Sequence, residues 1–169
     1  MWCVHPAEGR HDGEVSREEI QLRMRRMTAS DRVRVVVVDD SAAARAAIEE
    51  AVVQRSEFEL VASAASGEEA LAVVPRIDPD LILLDIRMTG LDGLETTRIL
   101  RARGTRSRIV LVSALVPTEL PGGIDTCGAN ATLPKAEVAP NRLSELWRDL
   151  QRAPAPQGGA SLLVGRSQD

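Results

Sequence analysis

The sequence is nearly devoid of aromatic side chains. It has Phe58, Trp2 and Trp147, and no tyrosine. Any core must therefore be Val, Leu, Ile and Ala. The two cysteines, Cys3 and Cys127, stand at no metal or redox spacing. A reduced, cytoplasmic setting is the simplest reading. A long apolar run is also missing, so no transmembrane helix and no membrane association are expected. The first residues lack the basic-then-apolar order of a secretory signal. The net charge of −4 argues against a nucleic-acid binder, which would show a basic face. Lysine is the scarcest cation: Lys135 stands alone among arginines.

What the chain does have is a pair of aliphatic runs, each ending in acid. Leu81-Ile82-Leu83-Leu84-Asp85 lies between Asp78-Pro79-Asp80 and Arg87-Met88-Thr89-Gly90. Four consecutive aliphatics read as a strand buried on both faces, as in a parallel sheet. Val35-Val36-Val37-Val38-Asp39-Asp40 repeats the design.

Residues 1–30 show no period and read as a disordered extension, with a helical turn or two over 16–27. From 33 onward strands and helices alternate. Strands are expected at 33–38, 58–62, 81–84, 108–112 and 131–133. A helix follows the first strand to about 54, with Asp40 or Ser41 as its cap and Ala44, Ala47, Ile48, Ala51 and Val52 on one stripe. Ser66-Gly67-Glu68-Glu69 opens a helix that Pro75 closes. Asp92 and Glu95 open another, ended by Gly104. A last helix covers 141–151, with Leu143, Leu146, Trp147 and Leu150 on one face. Residues 152–169, rich in Ala, Pro and Gly, read as a flexible tail. The domain proper is thus 31–151. Its alternation predicts a doubly wound, five-stranded parallel α/β sheet. The edge-like second strand gives the flavodoxin-like order 2-1-3-4-5, with the topological switch between strands one and three.

Asp39, Asp40 and Asp85 would meet at that switch. Three converging carboxylates require a cation or a raised pKa. An all-oxygen set suits Mg²⁺. Ser113, after the fourth strand, and Lys135, after the fifth, bring a hydroxyl and a point charge to the same edge. Together they could hold phosphoryl oxygens, with a carboxylate as the phosphoryl acceptor.

These motifs resemble the response-regulator receiver domain of two-component signalling. The resemblance runs from about 33 to 150. It rests on Asp39-Asp40-Ser41, on Leu83-Leu84-Asp85-Ile86-Arg87-Met88, on Leu91-Asp92-Gly93-Leu94-Glu95, on Val112-Ser113-Ala114, and on the stretch from Gly128 to Lys135. It implies that Asp85 accepts a phosphoryl group from a histidine kinase or phosphotransfer protein, and that a binding surface then changes. It also implies that Asp40 ligates Mg²⁺ with Asp85 and the Arg87 carbonyl, with Asp39 helping through water. Ser113 and Lys135 would contact the phosphate, and Arg87 and Leu115 would tune its loss to water. Such a domain is no conventional enzyme, though it catalyses its own phosphorylation and dephosphorylation. The target would be a protein, and a homodimer is left open. The arginine- and alanine-rich composition fits a GC-rich bacterial genome.

The chain departs from that family at three positions and in one segment. Thr132 stands where members usually carry Tyr or Phe, so a ring cannot swing there. Thr89 and Ala136 replace frequent prolines. The fourth-helix segment contains Pro121-Gly122-Gly123, which predicts a loop or a broken helix. The alternative function is a non-phosphorylated pseudo-receiver acting as an interaction module. A phosphohydrolase would want an acid where Arg87 stands, and a flavin phosphate would be repelled by Asp39-Asp40.

Overall fold

In the computed structural model, residues 32–114, 120–153 and 163–164 are described, the last two by backbone alone. The expected extension over 1–30, Leu115 and most of the expected tail lie outside the described residues.

β1 (Val33–Val38), β2 (Phe58–Ala64), β3 (Leu81–Asp85), β4 (Arg108–Ser113) and β5 (Ala131–Pro134) form one parallel sheet in the order 2-1-3-4-5. Two residues, β6 (Leu163–Val164), extend the sheet beside β5 in parallel register. They fall within the segment expected to be a flexible tail, on its one aliphatic run, residues 162–164.

The continuous aliphatic runs are buried on both faces. Val36, Val38, Ile82, Leu84, Ile109 and Leu111 face one core cluster. Val35, Val37, Leu81, Leu83, Val110 and Val112 face another. The first cluster is closed by α2 (Gly67–Ile77) and α3 (Gly93–Ala102) through Ala70, Val74, Leu94 and Leu100. The second is closed by α1 (Ala42–Val53) and α4 (Pro140–Arg152) through Ile48, Val52, Leu143, Leu146 and Leu150. Fully burying one such side chain contributes about 1.5–3 kcal/mol. The four aliphatics of β3 therefore outweigh the cost of carrying a carboxylate at its end.

Three helices start on the predicted signals. Ser41 Oγ accepts from the Ala44 N–H, Ser66 Oγ from the Glu69 N–H and Asp92 Oδ1 from the Glu95 N–H. Asp40 is not a cap, and Ala47 lies exposed. Pro75 does not end its helix, which runs on to Ile77 before Asp78 turns left-handed at φ 49°. Proline deprives the Leu71 carbonyl of its helical donor. Arg103 Nη1 supplies one at 3.1 Å. The β2 alternation also breaks: β1 skips Val61 in register, and both Val61 and Ala62 pack against the same cluster.

Between β4 and β5 the described residues contain only a 3₁₀ turn, Ile124–Thr126. Leu120, Ile124 and Cys127 cover the core where a helix would lie. Over the described residues 120–130 the predicted loop is present. Arg101, from α3, fastens it. Its Nε donates to the Gly128 carbonyl, Nη1 to those of Thr105 and Ser107, and Nη2 to Asn130 Oδ1, all at 2.8–2.9 Å. Burial, then the charge of Arg108, lower its pKa to about 10.

Candidate functional site

The sheet brings the three acids together. Val38 pairs with Leu84 in register, so β1 and β3 end side by side. Asp39, Asp40 and Asp85 each offer a carboxylate oxygen within 4.8 Å of the others. Asp39 is fully buried, Asp85 is 4% exposed, and Asp40 faces solvent.

Asp39 is held from several directions. Its Oδ1 accepts from the Ser41 N–H at 2.9 Å, and its carbonyl accepts from Arg45 Nη1 at 2.6 Å. Its Oδ2 faces Lys135 Nζ at 2.7 Å and has no other hydrogen-bond partner among the described residues. Lys135 Nζ also lies 3.1 Å from Asp85 Oδ2. One ammonium thus bridges two buried carboxylates. An uncompensated charge in such a place costs about 3–5 kcal/mol. Lysine suits the task because its ammonium is a compact charge with three rotatable donors.

The charges shift one another. Burial is the largest influence on Asp85 and raises its pKa. Hydrogen bonding and the charge of Lys135 oppose this, the charge of Asp39 adds to it, and the Arg87 N–H lowers it. Burial works to lower the Lys135 pKa, but its bonds to Asp39 and Asp85 win and raise it. Asp40 is lowered, first by the Thr89 N–H and then, against the smaller pull of burial, by the Thr89 hydroxyl.

Ser113 ends β4 opposite Pro134, the neighbour of Lys135, and is buried. Arg87 is exposed just past Asp85. An open cavity of about 490 Å³ adjoins the site, lined by Asp40, Arg87, Met88, Thr89, Asp92 and Pro121. Gly93 is needed where it stands: the backbone of Asp85 and Ile86 leaves no space for a Cβ. Its N–H donates to the Ile86 carbonyl at 2.9 Å.

All predicted site residues in the described region therefore gather at one edge of the sheet. Leu115 lies outside the described residues. Sequence reasoning passed over Thr89. Its N–H and its hydroxyl both donate to Asp40 Oδ2, at 2.9 and 3.2 Å. The only signal was a polar side chain four residues past Asp85.

The donor set fits a hard divalent cation. It is all oxygen, it carries excess negative charge, and one member is exposed.

The sequence profile of the response regulator receiver domain matches residues 35–148. The chain belongs to that family. Similar proteins include a protein-glutamate methylesterase/protein-glutamine glutaminase of Nocardioides sp. It is 35% identical over 100 residues, covering 59% of this chain and 27% of that protein. A nitrate/nitrite response regulator protein homolog of Haemophilus influenzae is 39% identical over 83 residues, covering 49% of this chain and 40% of the relative. The chain thus spans less than half the length of these curated relatives. Among solved structures, the response regulator domain of Thermotoga maritima CheB is similar with a TM-score of 0.64 and 26% identity. That match covers 73% of this chain and 99% of that one. Among the described residues no helix is long and apolar enough to cross a membrane.

Proposed function

We propose that this receiver accepts a phosphoryl group on Asp85 from a histidine kinase or phosphotransfer protein, in a Mg²⁺-dependent reaction in the cytoplasm. The observation that carries the reading is the Lys135 ammonium set between Asp39 and Asp85 at 2.7 and 3.1 Å. A carboxylate oxygen of Asp85 attacks phosphorus. The phosphorus–nitrogen bond of the donor phosphohistidine breaks, and the imidazole keeps the electron pair and is protonated. Lys135 is placed to neutralise phosphoryl oxygens as charge builds. Ser113, at the end of the adjoining strand, is the hydroxyl donor. Asp40, Asp85 and the Arg87 carbonyl are the residues that would hold the cation, with Asp39 acting through water. A bound Mg²⁺ supplies charge neutralisation for the acids and the phosphoryl oxygens.

The relatives carry different activities in their names, an esterase and a nitrate/nitrite regulator. Only the receiver portion is shared, so the output is not inherited from them. We assign the output to a protein contact that changes on phosphorylation, without direct nucleic-acid or membrane binding; self-association of two copies is one form it could take. The second reading is a pseudo-receiver that binds partners without phosphate. It draws on Thr132 and on the loop in place of a helix between β4 and β5.

The test is acetyl phosphate with Mg²⁺, read by intact mass. Wild type should gain one phosphoryl group. Asp85→Ala, or added chelator, should abolish the gain. No gain in folded wild type would favour the pseudo-receiver.

A further inference from the structure

Thr89 binds one oxygen of Asp40 twice, across 49 positions of sequence. Its own loop is fixed on the side that follows it. Gly90 adopts φ +83°, and a Cβ there would strike Glu68. The Leu91 N–H donates to Glu68 Oε1 at 3.2 Å, and Asp92 caps α3. The donors aimed at Asp40 are therefore pre-positioned by α2 and α3. An exposed aspartate without such donors would sample several rotamers and lose them on ligation. Here the rotamer is set before any cation arrives.

We propose that Thr89 is a positioning residue for the divalent cation: it fixes Asp40 through Oδ2 and leaves Oδ1 to ligate. The inference rests on the cation-dependent reading above. Orientation is favoured over competition because both bonds fall on the same oxygen. An ionised carboxylate has two oxygens and about four lone-pair sites, and Mg²⁺ takes only one or two carboxylates from a protein. Donors that orient ligating carboxylates are worth about 10–100-fold in metal affinity. Proline in this place would have neither the N–H nor the hydroxyl.

The experiment is a titration of the unphosphorylated protein with Mg²⁺ alone, followed by amide shifts in ¹H–¹⁵N NMR spectra. Thr89→Ser keeps both donors and should match wild type within about twofold. Thr89→Ala keeps only the N–H and should bind about 10-fold more weakly. Thr89→Pro loses both and should be weaker still. Metal-free melting of the Ser and Ala variants should stay at the wild-type value, which separates positioning from folding. Should Thr89→Pro fail to fold, the Ser and Ala variants decide alone. Equal binding across the series would overturn the role of Thr89 and leave the cation site standing. Tighter binding by Thr89→Ala would show that the bonds compete with the cation, and would also overturn it. Failure of wild type itself to bind Mg²⁺ would bring down the role of Thr89 and the cation-dependent reading together.

Discussion

The edge between β1 and β3 and the connection from β4 to β5 are neighbours built on opposite lines. At the edge, two fully buried aliphatic strands deliver acids to fixed positions, and one lysine bridges two of them. Among its described residues, the connection has Pro121, Gly122 and Gly123, a 3₁₀ turn, and one arginine tying its end to α3. The first region takes its geometry from sheet packing. The second takes it from a few polar ties. Chemistry mounted on packed strands can persist while the adjoining surface is rebuilt. The two still meet, because Pro121 lines the cavity beside Asp40 and Thr89.

The largest effect should come from cutting the polar ties. Arg101→Ala removes the donor to three backbone carbonyls, those of Gly128, Thr105 and Ser107, and leaves Asn130 Oδ1 with the Ile109 N–H alone of its two donors. A buried unsatisfied group costs about 1–3 kcal/mol. A loss of at least about 3 kcal/mol is expected in urea unfolding, while folded protein still accepts phosphate. A loss below about 1 kcal/mol would show that Leu120, Ile124 and Cys127 hold the connection alone.

A smaller effect of opposite sign belongs to the edge. Folded Asp85 holds its proton more tightly than the unfolded chain does, because burial raises its pKa above 3.8. Stability therefore falls as pH rises from 3.8 through the higher folded value, and the full cost applies above it. Asp85→Asn should be more stable than wild type at neutral pH. The gain should vanish below pH 3.8. A destabilised Asp85→Asn would mean that the Lys135 bridge outweighs the burial.

The smallest effects separate two adjacent glycines in the connection. Gly123 has φ +85° and a Cβ there would meet Arg98, whereas Gly122 has open space and no positive φ. Gly123→Ala should lose about 1 kcal/mol. Gly122→Ala should gain about 0.5 kcal/mol by restricting the unfolded chain. Melting temperatures of the pair check this. Equal responses would show that the loop conformation is not specified.

The same contrast explains what could be read from sequence. β1, β3 and β4 announce themselves as aliphatic runs, and Ser41, Ser66 and Asp92 announce their helices, because those signals are local. The strand order followed from the half-exposed pattern of β2. The acids, Ser113 and Lys135 could be placed together because strand ends in a parallel sheet share an edge. The failures at Pro75, Val61, Thr89 and Arg101 are long-range. Pro75 stays helical, and Arg103, just past the end of α3, serves the Leu71 carbonyl. The bulge at Val61 depends on the register with β1. Thr89 reads only as a replaced proline until Asp40, far off in sequence, is seen to be its acceptor. Arg101 is one arginine among many until its four acceptors are in view.

The most direct test of the account is to find which carboxylate carries the phosphoryl group. After treatment with acetyl phosphate and Mg²⁺, borohydride reduces an acyl phosphate to an alcohol, and peptide mass spectrometry places the resulting homoserine. The account predicts homoserine at position 85 and unmodified Asp39 and Asp40. Homoserine at either of those two acids, or none anywhere in folded protein, would contradict it.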